Sequence, residues 1–203
     1  MNIETLKICL NWFTRNVFDK LPNTKFWIAG GALRDYFLNG HCFDSDIDLF
    51  FNERSEIAKT LILLRKDNGF KHYLITKNAI KGWCFVGNKK VKVDLVKRLF
   101  PSPNATIEEF DFTVVCCAVD RENVFYNPSF PFDLLRKKLV INALPFPMST
   151  LQRVQKYNKK GFSICNGGLL EISKAIAKID FENPEENNIE FYPDGSPKYL
   201  RFD

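Results

Sequence analysis

The chain has no CxxC pair, only two histidines, His41 and His72, and no uninterrupted run of about eighteen apolar residues. The first two shortages leave a zinc cluster few possible ligands, so the six cysteines, Cys9, Cys42, Cys84, Cys116, Cys117 and Cys165, fit a reducing compartment. The third leaves no candidate for a membrane-spanning helix. The opening "MNIETLKICLNWFTRN" carries charges through its apolar positions and does not resemble a signal peptide, so the expectation is a soluble cytoplasmic protein with no membrane partner. Internal repeats and low-complexity tracts are also missing. With 203 residues, 45% of them hydrophobic, there is material for one well-filled core and not for a large multidomain enzyme. The net charge of +5 permits an anionic partner, nucleoside triphosphate or RNA, without requiring one.

What is present reads as an α+β chain. Ile3, Leu6, Leu10, Phe13 and Val17 recur at helical spacing and predict a first helix ending near Leu21-Pro22. "KFWIAG" is a short strand stopped by Gly30-Gly31, and "ALRDYFLNG" a helix stopped by Gly40. "IDLFF" reads as a buried strand and "ERSEIAKTLILLRKDNG" as a helix ended by Gly69. "FKHYLIT", "AIKGWCFV" and "KVKVDLV" follow as strands, the last two joined by a turn at Gly87-Asn88. "EFDFTVVCCAVD" and "NVFYN" are two further strand candidates. The expected architecture is therefore a mixed, largely antiparallel sheet flanked by helices. A boundary falls near Met148, separating a body over 1–147 from a basic helical extension and polar tail over 148–203.

Three aspartates stand at alternate positions in "CFDSDIDLFF". In a strand, residues two apart share a face, so Asp46 and Asp48 project side by side while Ile47 turns into the core. Carboxylates so placed can share divalent cations, which prefer hard oxygen ligands and also bind substrate phosphates. Solvated aspartates at the start of a strand give the same spacing. An EF-hand beginning at Asp44 is excluded, because its sixth position would be Leu49 instead of glycine and its last Ser55 instead of glutamate. In "VKVDLV", Val91, Val93 and Leu95 alternate inward, leaving Asp94 on the other face as a candidate third carboxylate, provided its strand neighbours that of Asp48. Gly30-Gly31, between a strand and a helix, lets backbone N–H groups and the positive helix end approach a phosphate with no Cβ in the way.

Strand, Gly-Gly, helix, then a strand opening with Asp-x-Asp resembles the signature of the polymerase-β-like nucleotidyltransferase superfamily. "GGALRD" followed by "DIDLF" resembles in particular the branch of CCA-adding enzymes and bacterial-type poly(A) polymerases. "FDFTVVCCAVD" is similar to that branch's "RDFT" strand, "FDLLRKKLVIN" to the segment after it, and "STLQRVQKYNKKGFSI" to the basic helix that begins its neck. The resemblance implies that 1–147 is the catalytic domain and 148–203 a neck-like extension. It implies Gly30 and Gly31 on the triphosphate, Asp46 and Asp48 on two magnesium ions, and Asp94 as the third catalytic and metal-binding carboxylate. Arg34 and Asp35 match the family's Arg-Asp pair, with Arg34 on phosphate or acceptor or, alternatively, bracing the wall of the site. Arg153, Lys156 and Lys160 recur at i, i+3 and i+7, with Lys159 alongside, a stripe that is either a solvated face or a contact for RNA.

The chain departs from the pattern at Phe110, where a basic residue is usual, at Val115, where asparagine is common, and in "FPMSTLQR", which lacks the base-selecting Glu-Asp pair. CCA specificity is therefore not carried over. The implied activity is transfer of a nucleoside monophosphate to an acceptor hydroxyl, that of an RNA 3′ end, with release of pyrophosphate. The alternatives are a protein or small-molecule acceptor, and a nucleotide-binding or regulatory module without turnover. Tyr157 is read as core or neck packing, and Cys116 and Cys117 as small hydrophobes.

Overall fold

A computed structural model describes residues 2–42, 45–67, 69–86 and 89–180. Asp44, the Gly87-Asn88 turn and the polar tail lie outside these residues. Helix α1 (Ile3–Asn16) is capped by Asn2, whose side chain accepts from the Thr5 N–H, and buries Cys9 and Phe13. Strand β1 (Trp27–Ala29) leads into α2 (Gly31–Asn39), which stops at Gly40 in the left-handed conformation. Then come β2 (Ile47–Phe51), α3 (Arg54–Asp67), β3 (Lys71–Ile75), β4 (Ala79–Val86) and β5 (Lys89–Leu99). The second half runs α4 (Pro103–Glu108), β6 (Cys117–Val119), β7 (Val124–Tyr126), α5 (Phe130–Leu135), β8 (Lys138–Leu139), α6 (Pro147–Lys159), β9 (Ser163–Ile164) and α7 (Asn166–Ile176).

Seven strands form one sheet in the order β3-β4-β5-β2-β1-β6-β7, and among the described residues β2–β5 is its only parallel pair. The α+β class and the largely antiparallel sheet are as the sequence predicts. One face carries the main core, where Ile28, Ile47, Leu49, Val93 and Leu95 meet Phe13, Phe18 and Phe130 from the helices. Each such side chain contributes about 1.5–3 kcal/mol through burial. Val154, Tyr157, Phe162 and Ile172 join this same core, so α6 and α7 are anchored to it. The opposite face has a smaller cluster of Trp27, Ala29, Phe50, Phe100, Ile107, Cys116 and Ala118, covered by α4.

The stretch 110–120 is not one strand. Thr113–Val115 form a 3-10 turn and only Cys117–Val119 enter the sheet. Thr113 is fastened by its hydroxyl to Asp133 at 2.7 Å and by its N–H to the Val140 carbonyl at 3.0 Å. These bonds satisfy the turn's polar groups, and Val114, Val115 and Cys116 are all buried. An unbroken apolar run signals burial, and a buried turn meets it as well as a strand does.

Candidate active site

Because β2 and β5 run parallel with Asp48 opposite Asp94, both carboxylates lie on the sheet face away from the main core. The condition set by the sequence, that the strand of Asp94 should neighbour that of Asp48, is met. Their charges and that of Asp46 act on one another. Burial first, then the carboxylates of Asp94 and Asp46, pushes the Asp48 carboxyl up to about 7, against the pull of Lys81 and Lys156. Asp94 is also raised, by burial, although Lys81 from the facing strand β4 forms an ion pair with its Oδ2. The other oxygen, Asp94 Oδ1, is buried and has no hydrogen-bond partner among the described residues.

An orphaned carboxylate oxygen beside a second carboxylate is a fit for a divalent cation, whose ligands must otherwise find donors in water. Among the described residues, no three His, Cys, Asp or Glu side chains converge as a ready cage. The arrangement suits a cation shared by protein carboxylates and the oxygens of a bound phosphate, with one oxygen of Asp94 already taken by Lys81.

The Gly-Gly turn adjoins these carboxylates, since Ala29 is the register partner of Asp48. Gly30 has φ +86° and ψ −130°, a backbone region open essentially to glycine alone. Its N–H donates to the Cys117 carbonyl at 3.0 Å, which fixes the turn to the sheet. Among the described residues no side chain caps α2, so the first-turn N–H groups of this helix have no side-chain acceptor there. The ring of Phe110 covers Gly30 and packs on Phe50 at 5.9 Å. An aromatic wall thus stands where the basic residue of the resembled family would be.

Arg34 is 2% exposed. It donates through Nε to Asp35 Oδ1 at 2.7 Å and through Nη2 to Ser45 Oγ at 2.9 Å, and lies over the Tyr157 ring at 5.1 Å. Ser45 in turn donates to Asp35 Oδ2 at 2.5 Å, and Lys160 reaches the same oxygen at 3.3 Å. For the Asp35 carboxyl, burial is outweighed by the Ser45 hydroxyl, Arg34 and Lys160, which together hold it below its ordinary value. This network joins α2, α6 and the residue immediately before Asp46. On α6, Arg153 pairs with Asp111 at 2.9 Å, and the Lys156 charge acts on the Asp48 carboxyl. Tyr157 is buried, edge-on to Phe112 and Phe162. Cys116 and Cys117 are buried as well, and burial pushes the Cys116 thiol up to about 12 and that of Cys117 well above its ordinary value.

Sequence reasoning alone passes over Lys81. The signal is there nonetheless: Lys81 stands two residues before Trp83 on a strand whose alternate residues Ile80, Gly82 and Cys84 face the core, so its side chain must face the carboxylates. No helix among the described residues is long and apolar enough to cross a membrane.

Residues 4–137 match the family described as Gabija anti-defense 2 family protein. A curated relative, "Gabija anti-defense 2" of Bacillus phage SPbetaL7, is 26% identical over 172 residues, covering 83% of this chain and 41% of the relative. Among solved structures, a CCA-adding enzyme complexed with CTP is similar with a TM-score of 0.59 at 17% identity, over 85% of this chain and 43% of that one. A Thermotoga maritima CCA-adding enzyme complexed with tRNA has a TM-score of 0.55 at 15% identity, over 88% and 43%. At such identities the likeness shows the fold, which the chain shares with these CCA-adding enzymes. The chain spans less than half the length of these relatives. The match over 4–137 covers more than half of the chain, which therefore belongs to the Gabija anti-defense 2 family.

Proposed function

We propose that this member of the Gabija anti-defense 2 family is a metal-dependent nucleotidyltransferase, moving a nucleoside monophosphate from a nucleoside triphosphate to the 3′ hydroxyl of an RNA. The observation that carries the reading is the same-face pair Asp48 and Asp94, with the unpartnered Oδ1, next to the uncapped start of α2. Asp46 and Asp48 would hold magnesium, with Asp94 offering its remaining oxygen. Bound there, magnesium would supply a Lewis acid for the α-phosphate and a more acidic attacking hydroxyl. The acceptor oxygen forms a bond to the α-phosphorus in line, the bond from that phosphorus to the bridging oxygen breaks, and pyrophosphate leaves. Gly30 and Gly31 would allow the triphosphate to approach the backbone, and Lys156, whose charge acts on Asp48, would meet its negative charge. Arg153, held by Asp111, would touch substrate from α6. Arg34, enclosed by Asp35, Ser45 and Tyr157, would act through the loop that presents Asp46.

The relative's name associates the family with opposing Gabija defense, and the transfer reaction would serve that role. The test is to supply each ribonucleoside triphosphate with magnesium, a mixed RNA pool and lysate protein, for the native chain and for Asp46→Ala and Asp48→Ala. Label in RNA that both substitutions abolish is the expected result. Label in protein side chains would move the acceptor to protein, and unchanged labelling in the variants would remove the assignment. A second reading, a nucleotide-binding module without turnover, is favoured by the Lys81–Asp94 ion pair, which places an ammonium on a prospective metal ligand. Nucleotide binding by calorimetry without pyrophosphate release would select it.

A further inference from the structure

We propose that the outward face of β4 and β5, with Tyr73 of β3, is a track along which a single-stranded nucleic acid runs toward the Asp48–Asp94 end of the sheet. The inference rests on the transferase reading for the meaning of that end, and its own basis is charge and register. Between positions 68 and 99 there are eight lysines and arginines against one acid, Asp94, a net charge of +7. The residues up to 180 outside this lobe carry only +2 and the tail over 181–203 carries −4, so most of the positive charge of the chain sits in this three-stranded lobe.

Pairing of β4 with β5 arranges the charges in rungs: Lys81 faces Asp94, Trp83 faces Lys92, and Phe85 faces Lys90. These residues share one face, because Cys84, Val91, Val93 and Leu95, the residues between them, lie in the main core. Beginning at the carboxylates, two successive rungs pair an aromatic ring with a lysine. Rungs two residues apart are spaced roughly 6.8 Å, about the span of one nucleotide in an extended strand. The Lys90 and Lys92 ammonium groups lie 4.9 and 5.4 Å from the centre of the Trp83 ring, and the Tyr73 ring lies 6.0 Å from it. Phe85 is 54% exposed and Tyr73 49%, although neither is needed by the core.

Exposed and half-buried aromatic rings among lysines, on strands whose single acid is Asp94, are what sequence-tolerant binding of single strands requires: ring faces stack on bases and ammonium groups meet phosphates. Lysines on an edge strand also serve to prevent strand pairing between molecules. Lys90 and Lys92 precede the first β2–β5 register pair, Ile47–Val93, so edge protection accounts for part of their charge, but it does not account for the aromatic rings set beside them. An acidic protein would satisfy the lysines without using the rings.

The test is fluorescence anisotropy of a labelled single-stranded RNA with the full chain over a salt series, with single-stranded DNA, duplex RNA and polyglutamate as further arms. Lys90→Gln/Lys92→Gln should weaken single-strand binding at least tenfold and reduce the salt slope by about 1.4, roughly 0.7 for each phosphate left without its lysine. Trp83→Ala, and Trp83→Leu, which keeps the apolar bulk, should each weaken it by about five- to a hundredfold. Lys174→Gln on α7 should leave it unchanged. Asp46→Ala/Asp48→Ala should still bind the strand, so a loss of transfer with binding intact bears on the chemistry and not on the track. Equal binding by the native chain and the Trp83 and Lys90/Lys92 variants would overturn the proposal. So would tighter binding of duplex RNA, or of polyglutamate, than of the single strand.

Discussion

Gly30 carries more of the site than its size suggests. Its φ and ψ exclude a side chain even though the nearest ring atom, on Phe110, would leave room for a Cβ at 3.6 Å. Gly30→Ala is therefore expected to cost about 1–3 kcal/mol from backbone strain alone, measured as a shifted urea midpoint with an unchanged slope. Asp35 is the other residue on which the site is hung. Asp35→Ala would leave the enclosed Arg34 guanidinium without its carboxylate, and removing one partner of a buried pair costs about 3–5 kcal/mol. Asp48 supplies a pH dependence. A carboxyl held at about 7 in the folded chain, against an ordinary 3.8, stabilises the fold at low pH and loses that contribution as pH rises through about 7. In metal-free buffer the melting temperature should fall between about pH 4 and pH 7. Magnesium or manganese should restore it at the upper end, where the ionised carboxylates bind metal best.

At the scale of elements, much is legible in the sequence and the failures are specific. "IDLFF" and "AIKGWCFV" match β2 and β4 to the residue, because a glycine or polar break borders each. The run 110–120 reads as one strand, yet only Cys117–Val119 enter the sheet, because the burial of the residues before them comes from a turn held by Asp133 and the Val140 carbonyl, partners that are distant in sequence. That Asp48 and Asp94 are register partners is likewise invisible in the sequence, since it depends on β5 returning parallel to β2 after the β3–β4 excursion. Gly82 shows how tightly that excursion is packed. A Cβ there would meet the Phe70 ring at 2.1 Å and the Lys71 carbonyl at 2.9 Å. Gly82→Ala should destabilise the lobe by about 1–3 kcal/mol, seen as faster amide exchange in β3 and β4 than in β1.

For the whole molecule, one sheet separates two tasks. Its core face binds α1, α2, α3, α6 and α7 into a single body, and its other face carries the acidic end and the basic lobe. The resemblance read from "GGALRD" and "DIDLF" predicts the α+β fold of that branch, and the structure shares its fold with a CCA-adding enzyme. Nothing in those motifs points to the Gabija anti-defense 2 family, to which the chain is matched over 4–137. If transfer is how the family opposes Gabija, Asp48→Asn should fold normally yet lose protection of phage plating in cells that carry Gabija. The most direct measurement is transfer from a triphosphate labelled at the α-phosphate, with released pyrophosphate counted in the same reaction. The account predicts label in the acceptor and pyrophosphate in equal amounts, dependent on magnesium and absent in Asp48→Asn. Transfer that persists in Asp48→Asn, or nucleotide binding with no transfer from any triphosphate, would contradict it.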